Sequence, residues 1–162
     1  MSKLFQLEHE PWWHFLDPVQ RELLKQSYYL FAWAQENKDK FHDYSFIVMP
    51  AAKAFEGYLK KFLYTIKLLP EKDYREDRFR LGKALNPELE HRFPRECLYN
   101  EIGRACAPEL AEDLWQAWKR GRNRLFHYFP NEQQVFSLKE CKSRLDMLIT
   151  TISKSYKMCK RE

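Results

Sequence analysis

Arg122, Asn123 and His127 fall within one six-residue segment, Arg122-Asn123-Arg124-Leu125-Phe126-His127. An imidazole can move a proton near neutral pH, and a guanidinium can hold two phosphate oxygens in a fixed fork. Neither group needs a metal ion to do so. The pattern therefore indicates chemistry on a phosphodiester. The alternative interpretation is a basic helix end, in which the His lies in the last turn and interacts favourably with the helix dipole.

Positive charge is concentrated around this segment, where four cations occur within six residues: Lys119, Arg120, Arg122 and Arg124. One interpretation is a site for an anion. The other is a solvated basic stripe that forms i, i+4 pairs with acidic residues one to two turns earlier. Those acidic residues are Glu109, Glu112 and Asp113.

A helix that follows Pro108 is predicted to carry the segment. At about 100° per residue, its apolar side consists of Leu110, Leu114, Ala117, Trp118, Gly121, Leu125 and Tyr128, and its polar side of Gln116, Arg120, Asn123 and His127. His127 is therefore predicted to face away from the core, beside Asn123 at the i, i+4 position. Trp115 and Phe126 are predicted to be exposed beside this polar strip, which is typical of a surface that contacts a partner.

A second candidate is Glu56, in an earlier helix whose apolar residues keep helical spacing. Glu56 falls at the border of that apolar stripe, about a quarter turn from its centre. Its position is also compatible with a surface ion pair to Lys53 or Lys60.

Two long helices are predicted in the first half of the chain. Asp17 and Pro18 form a capped start for the first, which ends near Asn37. The second covers residues 46–69, and Pro50 either kinks it or marks its true first turn, with the segment before it as a separate short piece.

Two more long helices are predicted in the second half, one from Pro108 to about Tyr128 and one from about Ser137 to Lys157. Residues 70–107 contain several Pro and Gly and are predicted to form short helices and loops. Four long helices with short additional ones predict an all-α bundle. The length of 162 residues predicts a single domain that spans residues 1–162.

The composition agrees with this prediction. Hydrophobic residues make up 44% of the chain and aromatic residues 16%, which excludes a disordered protein, and four Gly are too few for a turn-rich all-β protein. The net charge of +5 and the pI of about 9.0 favour an anionic partner.

Neither the Cys nor the His residues follow the spacing of a metal site, so we predict no metal and no cofactor. Cys97, Cys106, Cys141 and Cys159 are expected to be buried free thiols. The first ten residues lack the pattern of a signal peptide, and no run of about 18 apolar residues is present. We therefore expect a cytoplasmic protein.

Two segments together resemble the HEPN superfamily of small helical bundles with an R-x4-6-H motif. They are Met49-Pro-Ala-Ala-Lys-Ala-Phe-Glu-Gly-Tyr-Leu-Lys-Lys-Phe-Leu63 and Arg122-Asn-Arg-Leu-Phe-His127. More narrowly, the chain resembles the HEPN domain of the RNase LS-type toxins. The helical segments that carry these motifs cover about 50 of the 162 residues.

The resemblance implies a metal-independent endoribonuclease that leaves a 2′,3′-cyclic phosphate and a 5′-hydroxyl, in a toxin or antiviral defence setting. It implies a homodimer whose two motifs face each other, and a protein antitoxin or regulator as a further partner. Carried over by position, Arg122, His127, Glu56 and Asn123 are the catalytic residues, and RNA is bound by Lys53, Lys119, Arg120 and Arg124.

The alternative function belongs to a different class. A helical module that binds RNA or mediates dimerisation without catalysis would keep the same motif for a structural reason. The presence of the Arg, Asn, His, Glu and Lys together favours the enzyme.

Overall fold

A computed structural model of the chain describes residues 3–76, 79–89, 97–127, 130 and 135–159. These residues form α-helices joined by turns and loops, and none of them belongs to a β-strand. The predicted all-α class is therefore confirmed. The helices are α1 (Lys3–Glu8), α2 (Pro11–Phe15), α3 (Pro18–Glu36), α4 (Met49–Thr65), α5 (Glu71–Arg75), α6 (Leu81–Ala84), α7 (Leu98–Ala105), α8 (Pro108–Trp118), α9 (Arg124–Phe126) and α10 (Leu138–Met158).

Helix α3 begins and ends where the sequence predicted. Its N-terminus carries a capping box, in which the Asp17 N–H donates to Gln20 Oε1 at 3.1 Å. Asp17 also pairs with Lys61 Nζ at 2.6 Å, which ties the start of α3 to α4. Further along, the buried Ser27 hydroxyl accepts a hydrogen bond of 2.9 Å from the Ala51 N–H. Helices α3 and α4 are thus joined by an ion pair and a hydrogen bond at two positions along their length.

The start of helix α4 shows which of the two predicted roles Pro50 has. The proline lies in the first turn, where a missing N–H costs no helical hydrogen bond, and a separate 3₁₀ turn at Ser45–Ile47 precedes it. The helix ends at Thr65, four residues before the predicted end at Leu69. Lys67 has a φ of 62°, a left-handed conformation that cannot continue an α-helix.

The predicted third helix is divided in the structure. Helix α8 begins at Pro108 as expected, but a π turn at Lys119–Asn123 separates it from the short α9, and the helical segment ends at Phe126. The predicted end at Tyr128 lies outside the described residues. The apolar side is confirmed, because its described members from Leu110 to Leu125 are buried.

Close packing against α10 explains the glycine in the π turn. A Cβ on Gly121 would lie 2.6 Å from Leu148 Cδ2, so a larger side chain would push α10 away. Helix α10 itself begins behind a Ser137–Glu140 capping box, close to the predicted boundary. It is joined to α4 by a buried hydrogen bond of 2.7 Å between the Tyr58 and Ser155 hydroxyls.

Some features were not predicted. Helices α1 and α2 precede the first expected helix, and α2 buries Trp12 and Trp13. Cys106 and Cys159 form a disulfide with Cα atoms 5.5 Å apart, so the prediction of four free thiols was wrong for these two. The two cysteines follow the ends of α7 and α10, which meet in the fold. They are 53 residues apart in the sequence, so the local sequence pattern could not predict the disulfide.

The other two cysteines agree with the sequence prediction. Cys97 and Cys141 are free and buried.

Among the described helices, none is long and apolar enough to cross a membrane.

Candidate active site

Arg122 and Glu56 form an ion pair between the π turn and α4. The Arg122 Nε lies 3.3 Å from Glu56 Oε2, and the two side chains are 29% and 34% exposed. Of the partners that the sequence left open for Glu56, none was Arg122. The structure therefore gives Glu56 a more specific role than a pair with a neighbouring lysine on its own helix.

Two aromatic rings hold the same guanidinium. Its central carbon lies 5.0 Å from the centroid of the Trp118 ring and 5.3 Å from that of Phe126. Cation–π contacts of this length favour one orientation of the guanidinium plane. A guanidinium carries five N–H donors, and the bond to Glu56 uses the one on Nε. Arg122 is thus oriented before any ligand arrives.

A cleft of about 880 Å³ surrounds this arrangement. Glu56, Arg122, Asn123 and His127 all line it, so the structure brings the four residues predicted to be catalytic around one cavity. Trp115 and Trp118 contribute apolar surface, and the rest of the lining comes from residues 79–83 and Asn86. The volume falls within the range of small-molecule and substrate sites.

The placement of His127 differs from the prediction. It was expected in the last turn of a regular helix, as the i, i+4 neighbour of Asn123. In the structure His127 is the first residue after α9 and has extended backbone angles, φ −121° and ψ 134°. The π turn changes the helical register before it, and the helix ends earlier than expected. His127 nevertheless reaches the cleft and is exposed.

Trp115 was predicted to be exposed, and this prediction was wrong. Only 8% of Trp115 is accessible, whereas Phe126 is 43% exposed as expected. The segment around α6 contacts α8 nearby, at Trp118, where a Cβ on Gly82 would collide with the indole.

The four residues predicted to bind RNA separate into two groups. Lys53 is exposed and lines a second groove of about 460 Å³, which shares Glu56 and Arg122 with the first cleft. Lys119, Arg120 and Arg124 are not among the described residues that line either cavity.

Lys119 and Arg120 make other contacts among the described residues. Lys119 Nζ lies 5.8 Å from the centroid of the Trp115 ring, and the backbone carbonyl of Arg120 accepts a hydrogen bond from the Arg144 guanidinium. Lys119 thus contacts a residue of the cleft without belonging to the described lining itself.

Sequence reasoning missed several residues of the cleft. Arg80, Lys83 and Asn86 belong to the segment that was predicted only as short helices and loops, and nothing in their local pattern indicates that they approach Arg122. Trp118 was assigned correctly to the core, but its contact with the Arg122 guanidinium was not predicted.

The arrangement has a definite chemical capacity. An exposed imidazole can transfer protons, and a preoriented guanidinium can neutralise negative charge that develops on a phosphate in the transition state. The partial enclosure of the cleft strengthens such electrostatic interactions. The comparisons with known proteins add no family to this geometry: no protein-family model matches the chain, and no curated protein or solved structure is significantly similar to it.

Proposed function

We propose that this protein is a metal-independent endoribonuclease of the HEPN type, acting in a toxin or antiviral defence setting. The observation that carries the proposal is the Arg122–Glu56 ion pair at the edge of a cleft that His127 and Asn123 also line. An oriented Arg and a His on one cleft can supply the charge stabilisation and the proton transfer of phosphodiester cleavage without a metal ion.

The reaction is an internal transfer at phosphorus. The ribose 2′-oxygen attacks the adjacent phosphorus and gives up its proton, while the bond from phosphorus to the 5′-oxygen breaks and that oxygen takes up a proton. The products are a 2′,3′-cyclic phosphate and a 5′-hydroxyl. His127 moves a proton to or from one of these two oxygens.

The other residues support this step. Arg122 binds the non-bridging oxygens and stabilises the charge that develops on them. Glu56 fixes Arg122 through the 3.3 Å contact, and Asn123, next to Arg122 in the π turn, orients the Arg or the His. Lys53 attracts the RNA backbone from the adjoining groove.

The proposed assembly is a homodimer in the cytoplasm, controlled by a protein antitoxin or regulator. One copy contributes one Arg and one His to an open cleft. A two-fold axis beside Phe126 would bring a second motif to the same substrate and exclude water from it.

The decisive experiment incubates the purified protein with single-stranded RNA in excess chelator and identifies the ends of the products. We expect a 2′,3′-cyclic phosphate and a 5′-hydroxyl, and no cleavage of DNA of the same sequence, because DNA lacks the attacking oxygen. Loss of cleavage in chelator, or cleavage of the DNA at the same rate, would overturn the proposal.

One observation favours a second candidate, a non-catalytic module that binds RNA or mediates dimerisation. Among the described residues, Arg122 contacts Glu56, Trp118 and Phe126, and it could serve the fold alone. In that case the Arg122→Ala variant would lose stability, and the parent protein would bind RNA and leave it intact.

A further inference from the structure

The cleft has a cationic region that is separate from the Arg122 motif. Arg80 and Lys83 line it, and both belong to the segment of residues 79–83. Arg80 is exposed and immediately precedes α6, whereas Lys83 is half-buried within this short helix. The proposed reaction at a single phosphate gives neither residue a role.

Packing fixes the position of this region relative to Arg122. Gly82, between the two cations, approaches the Trp118 indole so closely that no Cβ could be accommodated without a shift. The ring of Trp118 in turn lies 5.0 Å from the Arg122 guanidinium carbon. A single indole therefore contacts both the α6 segment and the Arg of the motif, and the two cationic regions are held at a defined separation.

The charge of the cleft favours an extended anion. Among the described lining residues are three cations, Arg80, Lys83 and Arg122, against a single carboxylate, Glu56, which is already paired with Arg122. A volume of about 880 Å³ is also far more than one phosphate group fills. Cationic grooves with an accessible aromatic residue, here the half-buried Phe79, are typical of sites that follow a single-stranded nucleic acid.

We propose that Arg80 and Lys83 form a second phosphate subsite, which binds the phosphodiester adjacent to the one that is cleaved. The inference rests on the proposed ribonuclease function and specifies its substrate class as a single strand with at least two consecutive phosphates. The two residues bind the substrate outside the reacting bond. They raise the efficiency on longer substrates and do not take part in proton transfer.

The test is a length series. The value of kcat/KM is measured for a dinucleotide with one phosphodiester and for trinucleotides extended by one nucleotide on either side. For the parent protein we expect one of the two extensions to raise kcat/KM about tenfold or more, the size of one or two charge-assisted hydrogen bonds. In the Arg80→Gln/Lys83→Gln variant this gain should fall below about threefold, with the dinucleotide rate unchanged.

The matched control removes the same two charges elsewhere. Arg104 and Lys142 are exposed and lie outside the described lining of the cleft, so the Arg104→Gln/Lys142→Gln variant should keep the full gain. A gain that persists in the Arg80/Lys83 variant, or that is lost equally in the control, would overturn the subsite while leaving the ribonuclease function intact.

A binding measurement separates the two proposals. Single-stranded DNA is not cleaved but presents the same phosphates, and each lost phosphate contact should reduce the slope of log K against log salt by about 0.7. If the parent protein cleaves no RNA, the proposed function fails. A smaller slope in the Arg80/Lys83 variant than in the control then still supports the phosphate subsite, and equal slopes overturn it.

Discussion

Glu56 Oε2 and Arg122 Nε lie 3.3 Å apart although 66 residues separate them in the chain. The contact joins the middle of α4 to the π turn after α8, and both side chains are about one third exposed. An ion pair with this exposure adds little to stability. Its value lies in the orientation that it gives to the Arg122 guanidinium at the cleft.

The first prediction concerns the proposed catalytic pair. Arg122→Ala and His127→Ala should each lower kcat for RNA cleavage by about 10²-fold or more, because each removes charge stabilisation or proton transfer in the transition state. Cleavage rates and circular dichroism of the same samples check this, with Arg104→Ala as the control. Folded variants with the parental rate would refute the assignment.

The second prediction concerns Glu56. Glu56→Gln should lower kcat by about tenfold, less than the loss of His127, because it loosens Arg122 without removing a reacting group. The free energy of unfolding should change by no more than about 1 kcal/mol, since the pair is partly exposed. Glu71→Gln breaks a more exposed pair, with Arg75, outside the described lining of the cleft and should leave kcat unchanged. An unchanged rate in Glu56→Gln would exclude the carboxylate from the site.

The third prediction concerns Lys53, which acts by charge from the adjoining groove. Lys53→Ala should raise KM at low salt, and the difference from the parent should shrink strongly as the salt concentration rises. Kinetics at several ionic strengths measure this. Lys142→Ala provides the control, because Lys142 pairs with Asp146 on its own helix and lies outside the described lining of both cavities. A defect that does not depend on salt would argue for a packing role.

The fourth prediction concerns the dimer. Sedimentation should give about twice 19.8 kDa. Of the expected interface anchors, the buried Trp115 is excluded and the exposed Phe126 remains, and the structure adds Met49, which is also exposed and lines the same groove beside Arg122. Met49→Glu should produce monomers with little activity.

Mixing provides a sharper test of the same assembly. Arg122→Ala and His127→Ala subunits, each inactive alone, should regain partial activity together if one site draws residues from both chains. A fully active monomer would contradict the dimeric site.

The fifth prediction concerns the cysteines. Without reductant the unfolded protein should show two free thiols, from Cys97 and Cys141, and with reductant four. In the native state, burial raises the pKa of Cys141 to about 12, so its alkylation should be very slow at pH 8 and should accelerate as the pH approaches that value. Thiol titration and mass spectrometry measure both. Four thiols in the absence of reductant would contradict the disulfide.

The helix boundaries that could be predicted depend on local chemistry. Asp17 and Pro18 define the start of α3, and Ser137 with Glu140 the start of α10, because each capping pattern acts within a few residues. The position of α6 against Trp118 could not be predicted, since it depends on tertiary packing at Gly82 and not on local propensity.

The features of the candidate site also divide into those that the local sequence could predict and those that depend on tertiary packing. Arg122 and His127 were singled out by residue types and spacing and expected to be catalytic from the family resemblance, and the structure places both on one cleft. The bond between Arg122 and Glu56 and the contribution of Arg80 and Lys83 require knowledge of which helices meet. The exposure expected for Trp115 was wrong for the same reason, because a helical wheel cannot show what another segment covers.

The π turn at Lys119–Asn123 gives neighbouring residues two different tasks. A turn closed by i→i+5 hydrogen bonds holds one residue more than an α-helical turn. Within this wider turn, Gly121 packs against Leu148 of α10, and the next residue, Arg122, pairs with Glu56 of α4. One short segment therefore both closes the bundle and supplies a cation to the cleft.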